Sequence, residues 1–374
     1  MKSITLTLLL LSAAGISNAA DDKAKTNILF AFADDWGWPH AGAYGDPVVK
    51  TPAFVRVARE GILFTHAFCD APTCGPSRSA ILTGQPIWRL EEAGNIHSTL
   101  PKKFLTYAEL LKESGYATGF TGKGWSPGRL TAGGRDANPA GKEFQKRRLK
   151  PPFKSMRNTD YAANFDDFLA QVKKGQPFCF WLGTSEPHRG FELGAGKRTG
   201  KDPAKVIVPK IFPDHPVVRS DILDYYVEIE WFDSHLAKAL KQLEELGELD
   251  NTLVIVTSDN GMAFPRAKAN CYEFGVHVPL AIMWPNRVKG GRDVIDPVGF
   301  VDLTATILEA GGVEHPALGQ TALAPVGRSL VSLLESGKSG RVEPQRTGVF
   351  SGRERHSSSR HNNMTYPQRC LRSD

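Results

Sequence analysis

Five apolar runs punctuate the chain, at residues 27–33, 116–120, 178–182, 253–257 and 278–283. Each is apolar at nearly every position, the pattern of a buried parallel strand covered on both faces. Helical patterns lie between them. Residues 106–114 read as a helix ending at Gly115. Residues 220–246 place apolar side chains at 222, 226, 229, 232, 236, 240, 243 and 246, a 3.6-residue period that Gly247 can stop. Strands alternating with helices predict an α/β fold with a mostly parallel central sheet and helices on both faces. Residues 124–155 and 186–216, rich in Gly, Pro and Lys, predict long loops of the kind that carry function. A further strand is expected at 347–351, followed by a polar stretch and no obvious finishing helix or hairpin.

Residues 1–20 follow a different logic. Lys2 precedes the apolar run 4–11, and small residues follow up to Ala19 and Ala20. That is the pattern of a secretory signal peptide, so a periplasmic or secreted location is expected. The run is too short to span a bilayer, and no later segment reads as a membrane span, so no stable membrane insertion is expected. The formal charge of +6 falls to +5 without Lys2. A mildly basic exported chain tolerates a polyanionic partner. No basic helix with interleaved aromatics argues for nucleic acid. Five cysteines (Cys69, Cys74, Cys179, Cys271 and Cys370) form no CxxC pair, which indicates neither a disulfide scaffold nor a zinc site. Cys179 reads as a buried apolar residue, whereas Cys69 and Cys271 are either core residues or a pair.

The chemistry gathers where the strands end. Asp34 and Asp35 follow the first run, Lys123 the second, Ser185-Glu186-Pro187-His188 the third, and Asp259-Asn260-Gly261 the fourth. In an open parallel sheet, ligands bind beyond the carboxyl ends of the strands. Alone, each acidic pair would serve as well for a cap or a turn. Brought together, Asp34, Asp35 and Asp259 would repel one another unless a cation intervened. With the Asn260 carbonyl they form an all-oxygen set suited to Ca²⁺ or Mg²⁺ and unlike a zinc site.

Between the first two strands lies Cys74-Gly75-Pro76-Ser77-Arg78, ending in Leu82-Thr83-Gly84. Pro76 suits the first position of a helix, whose positive end would favour an anion beside Cys74. Cys-x-Pro-Ser-Arg with Leu-Thr-Gly downstream resembles the signature of type I sulfatases, within the alkaline phosphatase superfamily. The resemblance runs from Asn27 to about Phe350. It implies that Cys74 is oxidised during export to a formylglycine (3-oxoalanine), whose hydrated aldehyde attacks sulfur and leaves a covalent sulfo-enzyme. It also implies one Ca²⁺ held by Asp34, Asp35, Asp259 and Asn260 together with residue 74. Arg78 would hold that residue, Lys123 and Lys268 would contact sulfate oxygens, and His188 would protonate the leaving group or assist aldehyde turnover. The implied partners are a sulfated carbohydrate and a formylglycine-generating or anaerobic sulfatase-maturing enzyme.

Within the family, Glu186-Pro187-His188-Arg189, residues 208–216 and Ser258-Asp259-Asn260-Gly261-Met262-Ala263-Phe264-Pro265 resemble the heparan N-sulfatases, which act in glycosaminoglycan degradation. The expected layout is a leader over 1–20, a catalytic domain over 21–340, and over 341–374 the start of an antiparallel C-terminal subdomain that is largely missing. One departure stands out. Trp125 occupies a place where many sulfatases carry histidine, which removes a second sulfate-side histidine or offers a ring to stack on a sugar. The cluster from Arg353 to His361 either recognises a polyanion or is a solvated loop. Two other functions fit the same residues, a phosphoester or phosphonate ester hydrolase and a non-catalytic glycan-binding homologue.

Overall fold

A computed structural model describes residues 25–319, 323–354 and 366–373. The expected leader lies outside them, as do residues 355–361 of the basic cluster. The chain opens with β1 (Asn27–Ala33), α1 (Pro52–Glu60), β2 (Ile62–Phe64), β3 (Ala67–Phe68) and α2 (Cys74–Thr83). It continues through α3 (Tyr107–Glu113), β4 (Ala117–Gly122), β5 (Lys142–Glu143), α4 (Tyr161–Leu169) and β6 (Phe178–Gly183). There follow α5 (Ala195–Arg198), α6 (Pro216–Glu245), β7 (Thr252–Ser258), α7 (Glu273–Val276), β8 (Leu280–Met283) and β9 (Arg292–Val294). Last come β10 (Val298–Gly299), α8 (Phe300–Ala310), α9 (Val331–Glu335), β11 (Gly348–Arg353) and β12 (Gln368–Ser373).

Among the described residues the main sheet runs β5-β4-β6-β1-β7-β8-β2-β9. β1 explains why its sequence is apolar throughout. Ile28, Phe30 and Phe32 face one core, with Leu82 of α2, Leu110 of α3 and Leu303 of α8. Leu29, Ala31 and Ala33 face the other, with Phe54 of α1, Phe165 of α4 and Ile229 of α6. Every β1 residue is therefore buried, and no polar position is left to alternate. The helices bear out the periodicity. Thr106 and Glu109 close a reciprocal capping box on α3, and α6 buries 222, 226, 229, 232, 236, 240 and 243. Gly247 ends α6 in the left-handed region (φ +69), but Leu246, expected on the apolar stripe, is 58% exposed beside that stop.

Three expectations need correcting. The run at 278–283 forms β8, which pairs antiparallel with both β7 and β2; residues 259–279 lead into it as turns and the four-residue α7, with no crossover helix to return the chain for a parallel pairing. α2 begins at Cys74, so Pro76 is its third residue. The first bond into that helix is Ser77 N to Thr73 O (3.1 Å), and a proline just ahead of it forfeits no hydrogen bond. The C-terminal stretch, read as having no hairpin, carries β12, antiparallel to β11 with Ser351 opposite Cys370. The alternating polar side chains of β12 hid it from an apolar-run criterion. Among the described residues no helix is long and apolar enough to cross a membrane.

Candidate active site

Parallel pairing of β4, β6, β1 and β7 brings their four carboxyl ends side by side, and α2 points its first residue at the same place. Asp34 and Asp35 leave β1 by a tight path. Asp34 N donates to Glu186 O (3.1 Å), Asp35 N to Asp259 Oδ1 (3.0 Å), and Trp36 N to Ser258 Oγ (2.7 Å). Asp35 adopts φ +76, a conformation that a non-glycine residue keeps only when its surroundings impose it. The Tyr225 hydroxyl, which donates to Asp35 O (3.2 Å) and accepts from Gly37 N (2.9 Å), helps to do so.

The expected site residues converge. Cys74 Sγ donates to Asp34 Oδ1 (3.3 Å), and Lys268 Nζ reaches both Cys74 Sγ (3.3 Å) and Asp35 Oδ2 (2.7 Å). Lys123 Nζ meets Asp34 Oδ2 at 2.5 Å. Arg78, fully buried, gives Nε to Asp259 Oδ2 (2.9 Å) and NH1 to the carbonyls of Lys123 and Gly124 (2.5 and 3.0 Å). Asn260 Nδ2 donates to Asp35 Oδ1 (2.8 Å). His188 stands at the rim, 44% exposed, with Nε2 3.9 Å from Asp35 Oδ2. Its Nδ1 donates to Arg189 O (2.6 Å), which leaves Nε2 as the atom presented to a substrate.

Charge within this cluster is set by burial and by the opposite-sign neighbours. Burial raises the Asp34 carboxyl, but Lys123, Arg78, Lys268 and His188 outweigh it and hold it well below the usual carboxylate range. Asp259 is pushed up to about 6 by burial and by the Asp34 charge. Burial, with Asp259 and Asp34, pushes the Cys74 thiol up to about 12, so the unmodified side chain stays protonated at neutral pH. The two lysines resist the neutralising effect of burial because the carboxylates raise their affinity for a proton.

Asp34, Asp35, Cys74 and Asp259 each offer one atom within 4.8 Å of the others'. Asn260 Oδ1, fully buried, has no hydrogen-bond partner. An orphaned carbonyl oxygen among three buried carboxylates fits a hard divalent cation, which would satisfy it and offset the carboxylates' mutual repulsion.

Several contributors escaped the sequence. Ser77 Oγ donates to Asp259 O from one turn into α2, and its place within the cysteine motif was the available signal. Glu186 O receives the Asp34 amide, a backbone role that no side-chain pattern announces. Tyr225 lies between apolar positions of α6, so only the fold reveals it. Trp125 is 3% exposed, and its Nε1 donates to Ser79 Oγ (2.8 Å). Its ring is therefore packed against α2 and does not offer the face to a sugar that the sequence suggested.

A Sulfatase family model matches residues 26–313. The chain belongs to the sulfatase family of sulfuric ester hydrolases. Human N-sulphoglucosamine sulphohydrolase is 28% identical over 92% of this chain and 71% of its own length. An ulvan-active sulfatase of Formosa agariphila is 28% identical over 79% of this chain, which spans 63% of that relative. Among solved structures, a protein in complex with its substrate D-glucosamine-2-N,6-O-disulfate superposes with TM-score 0.71 at 20% identity, covering 94% of this chain and 87% of that one. The phosphonate monoester hydrolase of Silicibacter pomeroyi gives 0.69 at 22%, covering 88% and 80%. The architecture is thus the alkaline-phosphatase-like sulfatase fold, with a small antiparallel sheet, β11–β12, near the C-terminus.

Proposed function

We propose that this chain removes sulfate from a sulfated carbohydrate, as an ester or a sulfamate, with Cys74 converted to formylglycine. The observation that carries the reading is the meeting of Cys74 with Asp34 and Lys268 at the positive end of α2. A thiol held protonated by its surroundings is a poor nucleophile, which favours its serving as the precursor of a different one. Asp34, Asp35, Asp259 and Asn260 would hold one Ca²⁺ beside residue 74. When bound, that ion supplies Lewis-acid polarisation of the attacking oxygen and of the sulfate.

The chain's own residues do the rest. Arg78, Lys123 and Lys268 line the place where an anion must sit and offset the charge that would repel an incoming nucleophile. Lys268, in contact with both residue 74 and Asp35, orients a sulfate oxygen against the nucleophile. His188, as the imidazolium with Nδ1–H kept on Arg189 O, delivers its Nε2 proton to the departing oxygen or nitrogen. Since Trp125 is buried at the position of a second family histidine, leaving-group protonation falls to His188. The substrate class is a sulfated carbohydrate, and the name of the human relative makes N-sulfated glucosamine the first sugar to test. The location is periplasmic or secreted, and the maturing enzyme is of the formylglycine-generating or anaerobic sulfatase-maturing kind.

Mass analysis of the peptide carrying residue 74, after co-expression with a sulfatase-maturing enzyme, tests the nucleophile. The expected product is an aldehyde that traps a hydrazide reagent. A free thiol at complete maturation of a control sulfatase would leave a non-catalytic glycan-binding role.

A further inference from the structure

The segment that delivers Lys268 is stitched to β11 and β12. Arg353 NH1 donates to Ala269 O, and Arg372 pairs with Glu273 (2.5 Å). Between those contacts Cys271 lies beside Cys370, close enough for each thiol to perturb the other. β12 is fixed there by its partner. Ser351, opposite Cys370, donates through Oγ to Cys69 O (2.5 Å), and Gly352 N donates to Asp70 O (2.7 Å). Two thiols on separately anchored segments are thus held in contact.

We infer that Cys271 and Cys370 are a disulfide-forming pair that locks β12 to the Lys268 loop in an oxidising compartment. The bond would close a loop of about a hundred residues, and the longer the loop a cross-link closes, the more it constrains the unfolded chain. The nearby third sulfur is otherwise engaged. Cys69 is fully buried, donates to Ala71 O (3.1 Å), and has its thiol pushed up by burial and by Asp70. Cys370 is half-buried, and the Cys271 hydrogen bond, aided by the charge of Arg372, draws its thiol down to about 7. A thiolate is therefore at hand on Cys370 near neutral pH.

The oxidant is an external disulfide, such as glutathione disulfide or that of a thiol-oxidising protein. Cys370 thiolate attacks one of its sulfurs and expels a thiolate. Cys271, deprotonated, then attacks the Cys370 sulfur of the mixed disulfide and expels the second half. Two electrons pass to the external disulfide, and the two thiol protons end on the released thiols.

The test uses the full folded chain exposed to glutathione disulfide, alkylated, and mapped by mass spectrometry without reduction. A peptide pair joining Cys271 to Cys370 is expected, lighter by two hydrogens. Dithiothreitol should then lower Tm by on the order of 5 °C in the native chain, and leave the Cys271→Ser/Cys370→Ser variant unmoved. Alkylation of both residues after oxidant treatment, or linkage of either to Cys69, would overturn the inference. The readouts are independent of sulfate release, so this pair can fail while the proposed activity stands, or the reverse.

Discussion

At the scale of single residues, the site is a balance of charges that Asn260 makes legible. Its Oδ1 is a buried acceptor with nothing to accept from, whereas its Nδ2 is committed to Asp35 and to Gly261 O. Leaving such an atom unpaired costs about 1–3 kcal/mol, a penalty that a bound cation would remove. Asn260→Ala is therefore expected to weaken Ca²⁺ binding by roughly 10- to 100-fold in calorimetric titration. An unchanged affinity would exclude Asn260 from the ligand set. Asp34, Asp35, Asp259 and Asn260 could be picked out in the sequence because chemistry follows strands. Lys123 and His188 follow strands by the same rule. Of the two expectations for Trp125, the sugar-stacking one fails for a physical reason. Its indole N–H partner, Ser79 of α2, is distant in sequence, so no local pattern of side chains distinguishes a packed indole from an offered one.

At the scale of elements, the sheet edge works because two glycines let backbones meet. Gly122, the last residue of β4, has φ +71, and an added Cβ would lie 1.8 Å from Gly183 O on β6. Gly122→Ala is expected to cost about 2 kcal/mol or more and to displace the adjacent Lys123. A lowered Tm together with a reduced kcat would show both effects; an unchanged Tm would refute the close approach. α6 carries a separate, titratable feature. Burial pushes the Glu228 carboxyl up from 4.5 to about 8, against the hydrogen bond it accepts from Ser155 Oγ (2.6 Å). Because the folded value lies above the unfolded one, the neutral acid's contribution is complete below pH 4.5 and is lost as pH rises through about 8. Glu228→Gln cannot ionise, so its Tm should decline less steeply than that of the native chain between about pH 5 and pH 9. Parallel declines would show that Glu228 is not held neutral. The strands and long helices were readable because burial on both faces and a 3.6-residue stripe leave strong periodic signals. β8 was found but given the wrong direction, since direction is set by the connection and not by the strand's own residues. β12 was missed because one of its faces is polar.

At the scale of the whole molecule, parallel crossovers carry Asp34, Lys123, His188 and Asp259 from distant parts of the chain to one sheet edge, where α2 supplies Cys74. The chain belongs to the sulfatase family, and the β11–β12 sheet contacts the segment that carries Lys268. The superposition with a phosphonate monoester hydrolase speaks to the fold alone, so substrate preference has to be decided by turnover. The most direct test measures inorganic sulfate released from N-sulfoglucosamine and O-sulfated monosaccharides by the matured full chain with Ca²⁺, beside matched phosphate and phosphonate esters. Sulfate release that exceeds phosphorus-ester turnover, and that falls to background in Cys74→Ala, is the expected result. Equal sulfate release by Cys74→Ala, or faster cleavage of the phosphorus esters, would contradict it.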